Sequence, residues 1–303
     1  PVTTILRIKV IHNKECGTIN LSQPGKIEQL TLDLGISDSK PLSTPLLASC
    51  NLEVIDSTPI NCLKLKYCTI VGALLYIALS MWSDILYPVV YLTHFLCVYD
   101  HMHFLAVKHV LIYLLGTIKQ TVCYKRCSSH VMTLSQLNQP LEQLLLRIHG
   151  DASYGTDKHT TKSVSRHITL LAGGPIAWYS RLQLVIALSS TEAELITLTD
   201  ATHQALYLQK LYIPFSLSLN LPTDIFCDNQ STLHIIKKPP FTYHAHLKHF
   251  SIKEGFIHGN LQAGHIAVHY VPSNNNLADF LTKAVPTAKL KLNKIKLNLH
   301  IHD

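Results

Sequence analysis

Asp151, Glu194, Asp228 and Asp279 are four carboxylates whose chain surroundings set them apart from ordinary surface acids. Asp151 follows Leu144-Leu145-Leu146-Arg147-Ile148-His149, a run in which Leu144, Leu146 and Ile148 fall on one strand face. Asp228 closes a second strand-like run, Thr223-Asp224-Ile225-Phe226-Cys227, and Asn229-Gln230-Ser231 then turns toward a helix through Leu233, Ile235 and Ile236. Groups at the carboxyl ends of neighbouring strands in an open α/β sheet converge on one crevice. Glu194 shares a helical face with Leu198, Ala201, Ala205, Leu208 and Tyr212, so it is expected to face the interior. There a carboxylate needs a cation, a hydrogen-bond partner or a proton. Asp279, in Asn276-Leu277-Ala278-Asp279-Phe280-Leu281 just past Pro272, is expected in the first half of a late helix. Hard oxygen donors of this kind suit a pair of Mg2+ ions, with Mn2+ as a substitute, and such a pair hydrolyses phosphodiesters. Taken singly, each acid has an alternative: a solvated group, or one paired with a Lys or Arg at the rim.

The elements that must position these acids follow from patterning. Ser189 and Glu192 have capping-box spacing, which marks the start of the helix and gives Glu192 a capping role, leaving Glu194 for the site. Between Asp151 and Glu194 the chain reads as an antiparallel meander: Ile168 to Ala172, a Gly173-Gly174 turn, Ile176 to Tyr179, then Leu184 to Leu188. After Glu194 the order is helix, strand, helix, a strand from His265 to Val271, and a helix, which predicts a mixed sheet with crossover connections.

Several strings in this region resemble the ribonuclease H domain of copia-type (Ty1/copia) retrotransposon polyproteins. They are Asp151-Ala152-Ser153, Gly173-Gly174-Pro175-Ile176-Ala177-Trp178, Ala187-Leu188-Ser189-Ser190-Thr191-Glu192-Ala193-Glu194, Cys227-Asp228-Asn229-Gln230-Ser231 and Leu277-Ala278-Asp279-Phe280-Leu281-Thr282-Lys283. The resemblance implies an RNase H-like α/β domain, a mixed five-stranded sheet flanked by helices, over 144–285. It implies that Asp151, Glu194, Asp228 and Asp279 are the metal-binding and catalytic acids, that two Mg2+ ions are the cofactor, and that the substrate is an RNA–DNA hybrid. Discrimination for the RNA strand depends on minor-groove contacts to 2′-hydroxyls. Asn229, Gln230 and Ser190 are the candidate substrate contacts, although a turn cap at Asn229 and a solvated Gln230 account for those two equally well.

Upstream, Gly17-Thr18-Ile19, Leu21-Ser22-Gln23 and Leu34 to Pro41 resemble the end of a copia-type reverse transcriptase after its palm. Val71 to Tyr76 and His103 to Thr117 resemble the segment joining polymerase to nuclease. Residues 1–126 are therefore expected as a smaller, mostly helical thumb/connection-like part, 127–143 as a linker, and 286–303 as a basic tail, either docked as a helix on the nuclease or frayed. No Tyr-x-Asp-Asp sequence occurs, so DNA synthesis would need an upstream reverse transcriptase palm in the same polyprotein.

Composition agrees with two domains: 303 residues, 47% hydrophobic, with a formal net charge of +7 that suits a polyanionic partner. Eight cysteines without a Cys-x-x-Cys pair suggest reduced thiols and an intracellular protein, cytoplasmic within a virus-like particle or nuclear. Ile70 to Tyr99 is densely apolar, but Ser80, Ser83, Asp84, Pro88 and His94 interrupt it, which favours two packed helices over a membrane hairpin. His244, His246 and His249 lack zinc-binding cysteines and helical spacing, so no zinc site is expected.

Departures from the family pattern leave a second function class open. Tyr154 stands where a Trp is usual, Gly255 replaces a His, Phe250-Ser251-Ile252 lacks the acid of an Ile-Asp-Ile run, and Arg166-His167 replaces a Gly-Tyr. Met81-Trp82-Ser83-Asp84 stands in place of Thr-Arg-Pro-Asp, three changes that single C-to-T transitions can each produce. The alternative to an active nuclease is a decayed or repurposed element remnant that at most binds nucleic acid.

Overall fold

The computed structural model describes residues 3–47, 50, 52, 61–125, 146–157, 160–212, 222–238, 248–281 and 286–301. The chain forms two compact units, Pro1–Arg126 with Lys283–Asp303, and Cys127–Thr282. The expected linker 127–143, His244, His246 and the His249 side chain lie outside the described residues.

The first unit opens with β1 (Thr4–Ile5), β2 (Ile8–Asn13) and β3 (Thr18–Ser22), followed by α1 (Pro24–Asp33), α2 (Asn61–Ser80), α3 (Leu86–Thr93), α4 (His101–Gly116) and β4 (Gln120–Lys125). The apolar stretch expected as two helices breaks after Ser80, whose hydroxyl donates to the Tyr76 carbonyl, and a 3-10 turn at Ser83–Ile85 leads into α3. Leu74 and Ile77 of α2, Leu86 and Leu92 of α3, and Val107, Leu111 and Leu114 of α4 are buried together in a helical core. Asp100 starts α4 by accepting from the backbone N–H groups of Met102 and His103. Among the described residues no helix is long and apolar enough to cross a membrane.

The second unit contains β5 (Arg147–Ser153), β6 (Val164–Leu171), β7 (Gly174–Leu182), α5 (Ser190–Tyr212), β8 (Thr223–Cys227), α6 (Gln230–Lys237), α7 (Lys248–Gln262) and β9 (Ile266–Tyr270). Its sheet has the order β7-β6-β5-β8-β9, antiparallel through β5, β6 and β7 and parallel where β8 joins β5 and β9 joins β8. This is the RNase H-like α/β architecture, a mixed five-stranded sheet whose parallel strands are reached by helical crossovers. Ile148, Ile225 and Ile266 of the sheet pack with Leu198, Ala201 and Ala205 of α5 and Ile257 of α7.

Three details of the meander differ from expectation. The β6–β7 turn is Ala172-Gly173, both at positive φ, with Leu171 paired to Gly174; a two-residue hairpin of this twist requires that conformation. β6 starts earlier, at Val164, so Arg166 and His167 are strand residues. Leu184 to Leu188 does not form a strand. The buried Gln183 side chain donates to Ser165 Oγ and the Ala193 carbonyl, which ends the sheet there and leaves Leu184 and Leu188 exposed.

The chain then returns to the first unit with α8 (Thr287–Lys296) and β10 (Leu299–Ile301). The expected tail belongs to the first unit and consists of a helix followed by a strand. β10 pairs antiparallel with β4, completing a sheet of order β1-β2-β3-β4-β10 that patterning did not foresee. Leu290, Leu297 and Leu299, buried in this unit, supply the apolar reason.

Candidate active site

Helix α5 is set by its N-terminus and its apolar stripe. Ser189 Oγ accepts from the Glu192 N–H at 3.1 Å, and the Glu192 carboxylate accepts from the Leu188 N–H at 2.7 Å, so the expected cap forms with its return bond one residue further back. α5 packs against β5 with Thr197 Cγ2 over Gly150, where an added Cβ would make an ordinary contact at 3.4 Å. Glu194 is thereby buried at 6% exposure. Its Oε1 accepts from the Ala152 N–H at 3.1 Å, and the Cys227 thiol donates to Oε2 at 3.8 Å.

Glu194, Cys227 and Asp228 each present a ligand atom within 4.8 Å of the others. Burial first, and then the Asp151 and Asp228 carboxylates, push the Glu194 carboxyl up to about 9. The Cys227 thiol is pushed up by burial and by the same three acids. A protonated glutamic acid at neutral pH among neighbouring carboxylates is the electrostatic signature of a place that an added cation would relieve. The donor set, mostly hard carboxylate oxygen, fits a divalent ion such as Mg2+, while the Cys227 sulfur is a soft neighbour that Mg2+ does not seek.

Asp151 lies within β5 rather than after it, directly opposite Arg166 of β6. Arg166 is 2% exposed, and its Nη1 stands 3.7 Å from Asp151 Oδ2, while Nε donates to Ser180 Oγ at 3.3 Å. The backbone of Arg166 is ordinary paired strand with no positive φ, so the consequence of having Arg at this position is electrostatic rather than conformational.

Asp279 is buried in a 3-10 turn, Asp279–Leu281, where a helix was expected. Asn276 fixes that turn: its Nδ2 donates to the Gly150 carbonyl at 2.8 Å and its Oδ1 accepts from the Ala278 N–H at 3.1 Å. The structure therefore gathers Glu194 and Asp228, keeps Asp151 in electrostatic reach, and ties the Asp279 turn to the residue before Asp151. Asp279 itself stands outside the 4.8 Å group. Asn229 caps α6, its Oδ1 accepting from the Thr232 N–H at 2.9 Å, and Gln230 and Ser190 are exposed. Cys227 and Asn276 were missed in the sequence, though Cys227 occupied the inward-facing alternate position of its strand and Asn276 was a turn-forming polar residue before an apolar pair.

No protein-family profile matches the chain. It is 29% identical over 305 aligned residues to a retrovirus-related Pol polyprotein from transposon TNT 1-94 of Nicotiana tabacum, covering 99% of this chain and 22% of the relative. The corresponding polyprotein from transposon RE1 of Arabidopsis thaliana is 30% identical over 265 residues, covering 88% of this chain and 17% of the relative. The chain's homologues are Pol polyproteins of copia-type transposons. It spans about a fifth of their length. Among solved structures, RNase H1 from Halobacterium salinarum aligns with a TM-score of 0.32 and 14% identity, covering 45% of this chain and 92% of that one, a similarity too low to bear on function. The Pol-related chain carries an RNase H-like unit, and its other unit is built from the segments that flank that one in sequence.

Proposed function

We propose that the second unit is a ribonuclease H that cleaves the RNA strand of RNA–DNA hybrids during reverse transcription by two-metal hydrolysis. The observation that carries the reading is the buried Glu194 carboxyl, whose ligand oxygen lies within 4.8 Å of one from Asp228. Asp151, Glu194, Asp228 and Asp279 would hold two Mg2+ ions, with Mn2+ able to replace them. When bound, the ions would supply Lewis-acid stabilisation of the scissile phosphate and of the leaving 3′ oxygen. The chain's own residues prepare the site. The Ala152 amide orients Glu194 Oε1, Asn276 holds the Asp279 turn against β5, and Asn229, the residue after Asp228, caps α6. Glu194 must release its proton to serve as a ligand, a change that cation binding favours. Asn229, Gln230 and Ser190 would contact the hybrid, and the +7 charge would add phosphate attraction that weakens steeply with salt. A reverse transcriptase palm upstream in the same polyprotein would be the partner that generates the hybrid.

The alternative, a non-catalytic remnant, is favoured by one observation, the buried Arg166 guanidinium beside Asp151. The deciding experiment measures cleavage of an RNA–DNA hybrid with Mg2+ by the full chain and by Asp228→Asn. Cleavage that disappears only in the variant establishes the nuclease; equal, negligible cleavage from both establishes the remnant.

A further inference from the structure

Arg166 is a fixed, buried positive charge inside the sheet, in register with Asp151 on one side and Ser180 on the other. Arginine does not lose its proton in proteins, so this charge is permanent. The guanidinium is held by Ser180 Oγ at 3.3 Å and stands 3.7 Å from Asp151 Oδ2. A fixed guanidinium lowers the negative potential of Asp151 and repels a divalent ion approaching the same oxygen.

We propose that Arg166 is an internal counter-cation that competes with divalent metal for Asp151, so that this chain loads ions only at higher concentrations than its carboxylates alone would require. The inference rests on the reading of Asp151, Glu194 and Asp228 as metal ligands. Without metal, Arg166 keeps the acid cluster folded; with metal, it is the group the ion must displace or tolerate.

The test is Mn2+ binding to the full chain followed by electron paramagnetic resonance, with no nucleic acid present, together with thermal midpoints at zero and saturating Mn2+. Arg166→Gln, which can still bond to Ser180, should bind Mn2+ tighter by about tenfold or more, while Arg166→Lys should bind like the parent chain. In metal-free buffer Arg166→Gln should melt below the parent, and Mn2+ should raise its midpoint by the larger amount. Equal affinity in the parent and Arg166→Gln overturns the proposal, as does an equal gain in Arg166→Lys or no Mn2+ uptake by any of the three. Should Arg166→Gln fail to fold, Asp151→Asn and Asp228→Asn decide the matter. Asp151→Asn, at an acid that already faces Arg166, should cost less affinity than Asp228→Asn, and equal losses overturn the proposal. Tighter Mn2+ binding by Arg166→Gln without hybrid cleavage by any form upholds the competition and sinks the nuclease reading. Cleavage by the parent with unchanged Mn2+ affinity in Arg166→Gln does the reverse.

Discussion

Asp84 in the first unit and Glu194 in the second are both buried, at 4% and 6% exposure, and they are satisfied in opposite ways. Asp84 meets Lys294 Nζ at 2.9 Å and the Tyr113 hydroxyl, and Lys294 also donates to Gln120 Oε1 at 2.8 Å. Burial and the Asp84 charge drive the Tyr113 phenol well above its ordinary range, so it remains a donor to that acid. Glu194 has amide and thiol donors, but its charged neighbours are more carboxylates. An acid supplied with its own cation fastens the fold; here it joins the C-terminal helix α8 to the 3-10 turn after α2. An acid surrounded by acids is stable only with a proton or an imported cation, and that dependence is what a metal site needs. Asp151 stands between the two cases, since it belongs to the acid cluster yet has Arg166 beside it.

The contrast is most severely tested at Asp84. Asp84→Ala should destabilise the chain by about 3–5 kcal/mol in denaturant unfolding, because Lys294 is left with its charge largely buried and unmatched. Replacing both partners with apolar residues of similar volume should recover most of that loss. A change below about 1 kcal/mol, the range of exposed pairs, would mean that the ion pair is not structural.

Glu194→Gln should act in the opposite direction when metal is removed with a chelator. The folded-state value near 9 lies above the ordinary value of 4.5, so the contribution of Glu194 to stability is complete below about pH 4.5. It is lost progressively as pH rises toward 9. At pH 8 the variant should be more stable than the parent by about 2 kcal/mol, with a flatter pH profile between 5 and 9. A variant less stable than the parent at pH 8 would show that Glu194 already has adequate partners. With saturating Mg2+ the order should reverse, because only the parent retains this ligand.

Asp279 sharpens the boundary of the cluster. Asp279→Asn should raise the Mg2+ concentration needed for half-maximal thermal stabilisation by less than about tenfold, and Asp228→Asn by more, since only Asp228 is in the close group. Equal shifts would bring Asp279 into the first rank of ligands. The smallest effect is expected at Asn229, where Asn229→Ala removes the α6 cap and should cost about 1 kcal/mol, read as a lowered thermal midpoint. A loss limited to hybrid affinity, with the midpoint unchanged, would assign Asn229 to substrate instead.

The sequence was legible wherever the determining interactions are local. The α5 stripe through Leu198, Ala201, Ala205 and Leu208, the Ser189–Glu192 cap, the β8 strand ending before Asp228, and α6 after it all follow from periodicity and capping chemistry. The same signals misled where a single side chain overrode them. Leu184 to Leu188 carries strand-like residues, yet buried Gln183 ends β7 just before it, and Asn276 holds Asp279 in a tight turn rather than a regular helix.

By itself, the sequence determined β5, α5, β8, α6 and β9 of the nuclease-like unit, the inward face of α5 and the acids worth considering, because each depends on residues a few positions apart. Tertiary structure alone decided that β10 pairs with β4, that Lys294 answers Asp84, and that Arg166 meets Asp151 across the sheet. Those contacts depend on strand register and on chain segments brought together from a distance, and no local pattern of residues encodes which charge a buried carboxylate will face.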